Sequence, residues 1–120
     1  MTQAGEPGVK RGDIWWLDWS LGRGSEQRGR RPALVIQNDV GNLHSPTTIV
    51  AAVSTSGRPF PFIVALPTSE SGLARESYVN LAQILTIDKS RLLEKAGQLG
   101  GERMEEVDRA IAVSLGLEGV

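Results

Sequence analysis

Gly12-Asp13-Ile14-Trp15-Trp16-Leu17-Asp18-Trp19 reads as a β-strand. Its aromatic and β-branched side chains suit a pleated, half-buried surface. Alternation sends Ile14, Trp16 and Asp18 to one face and Asp13, Trp15, Leu17 and Trp19 to the other. All three tryptophans of the chain fall in this segment. Trp15 and Trp16 suit a core or an interface.

Working outward, residues 1–8 are polar and residues 1–9 are expected to be a flexible lead-in, with a single domain over 10–120. Ser20 to Arg31 is a long Gly/Arg/Ser-rich loop. Pro32-Ala-Leu-Val-Ile-Gln37 is a short apolar run that fits a buried strand. Asn38 to Pro46 carries turn chemistry, and Thr47 to Val53, rich in β-branched residues, predicts a third strand. A loop over 54–61 leads to a fourth strand, Phe62 to Leu66, and Ser77 to Thr86 is a fifth, bent or broken. Asp88 to Arg91 suits a helical turn. Leu92 to Leu99 is too short to show a decisive period and stays open between helix and strand. Glu102 to Leu115 is a helix, with Met104, Val107, Ala110, Ile111 and Leu115 on its apolar face. Glu105, Glu106, Asp108 and Arg109 fill the opposite face. The predicted fold is mainly β with a C-terminal α-helix, a small barrel-like, strongly bent antiparallel sheet packed by that helix.

Composition narrows the function. The 120 residues hold no cysteine, which excludes a disulfide scaffold, thiol catalysis and thiolate zinc sites, and is compatible with the cytoplasm. No apolar run approaches the ~18 residues of a membrane span. The single histidine, His44, excludes a two-imidazole mechanism, and in its Asn/Gly/Ser/Pro loop it suits a solvated role. The net charge of −1 hides an asymmetry: residues 1–60 carry seven basic and five acidic side chains, residues 61–120 six and nine. Arg23, Arg28, Arg30 and Arg31 gather in residues 22–32 against Glu26 alone. That patch permits one phosphate-binding site; its plainer reading is a solvated basic loop. Glycines there let a ligand approach the backbone, and guanidinium forks match phosphate oxygens.

An ordered series of segments carries a family resemblance: Lys-Arg-Gly-Asp-Ile-Trp-Trp-Leu-Asp (10–18), Gly-Ser-Glu-Gln (24–27), Gly-Arg-Arg-Pro (29–32) and Val-Ile-Gln-Asn-Asp (35–39). Ala-Ala-Val-Ser-Thr (51–55), Phe-Pro-Phe (60–62) and Gln-Ile-Leu-Thr-Ile-Asp (83–88) continue it. Over residues 10 to 117 the chain resembles the MazF/PemK toxin endoribonucleases. The resemblance implies a homodimer of barrel-like domains, with a small MazE-like antitoxin as partner. It implies metal-independent, cofactor-free cleavage of single-stranded messenger RNA at a short sequence, independent of the ribosome. In that chemistry the ribose 2′-OH attacks the adjacent phosphate, leaving a 2′,3′-cyclic phosphate and a 5′-hydroxyl.

The resemblance assigns roles. Arg31 matches the family's catalytic arginine, and Pro32 biases it towards extended backbone. Its charge suits the phosphorane, while its high pKa makes it a poor base. Ser54 stands where the family usually has threonine and keeps the hydroxyl; Thr55 is the adjacent fallback, and a plainer role for Ser54 is to satisfy loop backbone. Glu26 is a candidate acceptor of the 2′-OH proton or a reader of a base edge, and equally a local ion-pair partner for Arg28, Arg30 or Arg31. Trp19 is a candidate stacking platform for a splayed base, and Gln27, Arg28, Thr55, Ser56, Arg58 and Gln83 are candidate RNA contacts. Leu85 lies where relatives often carry Lys or Arg. Two other readings compete: a non-catalytic RNA-binding module, and a gyrase-directed toxin of the CcdB type on the same fold. The latter uses a C-terminal Trp-Gly-Ile tail, whereas this chain ends Gly-Leu-Glu-Gly-Val.

Overall fold

The computed structural model describes residues 8–19 and 29–117. Six antiparallel strands form one curled sheet: β1 (Asp13–Asp18), β2 (Arg30–Val35), β3 (Thr47–Ser54), β4 (Ile63–Leu66), β5 (Ser77–Asp88) and β6 (Leu92–Gln98). Their order across the sheet is β4-β5-β3-β2-β1-β6. Helices α1 (Asp39–His44), α2 (Thr68–Ser71) and α3 (Gly101–Leu115) lie between or after the strands, and a 3-10 turn over Lys89–Arg91 links β5 to β6. The mainly β architecture with a C-terminal helix is as expected. Leu92–Gln98 is a strand, which resolves the ambiguous segment, because its backbone pairs with β1.

Both faces of the sheet are buried. Ile14, Leu34, Ala51, Val79 and Leu81 form one cluster with Val107 and Ala110 of α3. Trp15, Leu17, Ala33, Val35, Val50, Ile87 and Leu92 form a second. The alternation read from 12–19 therefore feeds two cores, one on each face. Val9, expected in the lead-in, is buried in the second cluster, so packing starts there; residues 1–7 lie outside the described residues. Asp13 is fully buried and well compensated. It accepts from the Lys10 amide at 2.9 Å, Trp15 Nε1 at 3.2 Å and Gln98 Nε2 at 2.9 Å, and pairs with Lys95 Nζ at 3.3 Å.

Two expectations need correction. The turn expected over 38–46 contains α1. Asn38 caps it by accepting from the Gly41 amide at 2.7 Å. Buried Asn42 then binds the Gln37 carbonyl, the Gln37 amide and the Thr48 hydroxyl. Capping and side-chain bonds hold this helix, with Val40 and Leu43 exposed, so no apolar period announces it. Leu115, expected on the apolar face of α3, is 58% exposed at the rim of a groove it shares with Ile36 and Ile111. The helix ends at Gly116, whose left-handed φ of 70° lets its own amide and that of Leu117 reach Val113 and Ala112.

Candidate active site

The cleft opens where two strands part. β2 and β3 pair Ala33 with Ala52, Leu34 with Ala51 and Val35 with Val50, and the pairing then stops. Pro32, which has no N–H to give, stands where the ladder ends. Carrying the register two residues further sets Arg31 opposite Ser54. Both share the pleat face of Ala33, Val35 and Val50, at the margin of the second core. Both are exposed. Across the other edge, Arg31 pairs with Leu17 of β1.

The third wall is a bulge. Ala51 pairs with Ile84 of β5 but Ala52 pairs with Asn80, so residues 81–83 are extra on β5. The bulge turns Ala82 and Gln83 out towards the cleft, which explains why this strand reads as broken. Trp19, Arg31, Ser54, Ser56, Gln83 and Leu85 line a cavity of about 500 Å³ with Ala82 and Ile84. Leu85 closes its floor from the second core.

Local bonds orient this group. Trp19 donates from its backbone N–H to the Gly29 carbonyl at 3.0 Å and from Nε1 to the Arg31 carbonyl at 3.2 Å. Ser54 Oγ donates to the Ser56 carbonyl at 2.9 Å, so its proton is engaged by the loop while its lone pairs stay available. Arg30 lies over the Trp16 ring, 5.2 Å from its centroid, and pairs with Glu94. Arg31 has no carboxylate partner among the described residues.

A second cavity, of about 420 Å³, meets the first at Arg31, Val53 and Ser54. Thr55 lies there, with Trp16, Pro32, Leu73, Ala74, Arg75 and Ser77. Ser56 also borders a third hollow with Arg58 and the stacked rings of Phe60 and Phe62, whose centroids are 5.4 Å apart. Thus Trp19, Arg31, Ser54, Ser56 and Gln83 come together, with Thr55 and Arg58 in adjoining hollows. Glu26, Gln27 and Arg28 lie outside the described residues. His44 lines a separate cavity with Val9, Pro46, Lys89 and Leu92. Sequence reasoning passed over Arg75 and gave Trp16 to the core or an interface. Arg75 is a lone arginine in the connection over 67–76, and the sequence there offers no pattern that marks it.

Fold and cleft define a class: a small curled-sheet domain with a C-terminal helix and a cationic cleft at the parted strands. An endoribonuclease in complex with its cognate antitoxin from a mycobacterial species matches with a TM-score of 0.80, at 27% identity, over 93% of this chain and 99% of that one. A MazE-MazF structure from Deinococcus radiodurans matches with a TM-score of 0.77, at 26% identity, over 94% and 100%. Endoribonuclease EndoA of Bacillus subtilis is 48% identical over 111 residues, 91% of this chain and 96% of that protein. The chain belongs to the PemK-like, MazF-like toxins of type II toxin-antitoxin systems, whose family model matches residues 10–115.

Proposed function

We propose that this toxin is an endoribonuclease that cuts single-stranded messenger RNA at a short sequence, with neither a metal ion nor the ribosome. The observation that carries the reading is the opposition of Arg31 and Ser54 at the parted ends of β2 and β3. The cleft offers a cation, hydroxyls and an amide, which suit a phosphate chain. The relatives' names, an endoribonuclease among them, point the same way.

In this mechanism the 2′-oxygen of ribose attacks the adjacent phosphorus and gives up its proton, for which Glu26 is the candidate acceptor. The bond from the 2′-oxygen to phosphorus forms and that to the 5′-oxygen breaks. Arg31 balances the charge on the phosphorane, where a preorganised donor is worth about 100- to 1000-fold. The departing 5′-oxygen is an alkoxide, basic enough to take a proton from a guanidinium. The products are a 2′,3′-cyclic phosphate and a 5′-hydroxyl. Ser54 turns its hydroxyl from the Ser56 carbonyl to a non-bridging oxygen when RNA enters.

A MazE-like antitoxin is the proposed partner, its acidic and apolar tail covering the cationic cleft, and the working unit is a homodimer in the cytoplasm. No described helix is long and apolar enough to cross a membrane. The test is a labelled messenger RNA incubated with the purified chain in EDTA. Cleavage at one short sequence is expected, with 5′ ends that a kinase labels without prior phosphatase treatment. Retention of intact RNA favours a non-catalytic binding module, and inhibition of gyrase alone favours the gyrase-directed reading; either result overturns the proposal.

A further inference from the structure

Besides the residues it shares with the first cavity, the second cavity carries one further charge, the exposed Arg75. Three described arginines sit in ion pairs: Arg11 with Asp108, Arg30 with Glu94, and Arg103 with Glu70 and Glu106. Arg31 and Arg75 share one hollow, and neither has a carboxylate partner among the described residues. Two like charges in one groove repel, and a bound anion reverses that cost.

The loop that carries Arg75 is rigidly built. Gly72 ends α2 with a φ of 77°, and a Cβ there would lie 1.9 Å from the Ala96 carbonyl. A Cβ on Gly97 would lie 2.2 Å from the Ser71 carbonyl. The two glycines therefore clasp α2 against β6. The Leu73 amide donates to Ser71 Oγ at 3.0 Å and the Leu73 side chain is buried. Ser77 Oγ then donates to the Arg75 carbonyl at 2.9 Å. Arg75 thus projects from a segment tied down on both sides, so little ordering is needed when a ligand meets it.

We propose that Arg75 binds the phosphate next to the scissile one, making the Trp16-walled cavity the path of the RNA strand on one side of the cut. The inference rests on the endoribonuclease reading above. It makes Arg75 a binding residue, with no part in the chemical step.

The experiment uses the whole chain and a short single-stranded RNA containing the cleavage site. Arg75→Ala is expected to raise KM about tenfold, in line with one lost charge-assisted contact, and to leave kcat within about twofold. The log–log salt slope of binding should shrink by about 0.7, and Arg75→Lys should restore it. An uncharged methylphosphonate linkage, moved one position at a time, should weaken the wild type at one flanking phosphate and leave Arg75→Ala indifferent there. The Arg75→Ala thermal midpoint monitors the fold; a lowered midpoint shifts the test to Arg75→Gln. Unchanged KM and salt slope in a folded variant, or a loss confined to kcat, overturns the proposal while the nuclease reading stands. A wild type that cuts no RNA overturns both.

Discussion

Arg31 and Ser54 face each other across the parted ends of β2 and β3, two residues beyond the last paired couple, Ala33 and Ala52. Proximity here comes from strand register, which a point change in a side chain does not disturb. Arg31→Ala should therefore leave the thermal midpoint unchanged and slow RNA cleavage by more than about 100-fold. Ser54→Ala should be slower than wild type and Ser54→Thr near it, since the Oγ bond to Ser56 shows where that hydroxyl rests without RNA. Equal rates for serine and alanine would remove Ser54 from the mechanism.

Trp19 does two jobs that can be separated. Its ring lines the cleft, and its Nε1 holds the Arg31 carbonyl at 3.2 Å. Trp19→Phe keeps a stacking face and drops the bond. It should lower kcat by about three- to tenfold, the worth of one net hydrogen bond, with RNA affinity preserved. Trp19→Ala should lose affinity as well. A phenylalanine variant with full kcat argues that the indole nitrogen does not position Arg31.

Much of this was legible in the chain itself. The Trp-rich strand, the β-branched third strand and the amphipathic α3 follow from side-chain chemistry and period, and Arg31 and Ser54, singled out by the family resemblance, line one cleft. The clasp at Gly72 and Gly97 was not legible, because each glycine is required by a carbonyl distant in sequence. Helix α1 was hidden for a related reason: its stability lies in what Asn42 touches. Arg75 escaped notice because a lone arginine in a loop carries no pattern until the fold sets it beside Arg31.

The glycine clasp gives a stability prediction with an internal control. Gly72→Ala forces a methyl onto the Ala96 carbonyl and holds an L residue at a φ of 77°. Overpacking and left-handed strain together should cost about 3 kcal/mol. A Cβ at Gly100 meets nothing within 4 Å, so Gly100→Ala should stay within about 1 kcal/mol of wild type. Urea unfolding of the two variants checks the contrast, and similar midpoints would show that the clasp yields.

Asp13 binds β1 to β6 through Gln98 and Lys95 while its own chain supplies the Lys10 amide and the Trp15 indole. Asp13→Ala leaves these donors facing a cavity, and breaking such a buried set costs about 3 kcal/mol or more. Lys95 is partly exposed, so Lys95→Ala should cost much less. Chemical denaturation should rank the two in that order, and the reverse ranking would mean that the ammonium, not the amide and indole donors, sustains the carboxylate.

Acid should loosen the join between α2 and α3. Arg103 grips Glu70 with Nε at 2.8 Å and a second guanidinium nitrogen at 2.9 Å, and these bonds hold the Glu70 carboxyl below its ordinary value of 4.5. Folding therefore favours the ionised form. The stabilisation is complete above the unfolded value and is lost as the pH falls through the lower folded value. Asp39, held down by the Arg11 amide and Asn42, adds to the same acid slope. Glu70→Gln removes one titrating group and should flatten the fall of the thermal midpoint below about pH 4.5. Since α2 leads directly into the Arg75 loop, the same variant should also show faster amide exchange over residues 72–76 at neutral pH. An unaltered acid slope together with unaltered exchange would mean that the pair is only a surface contact.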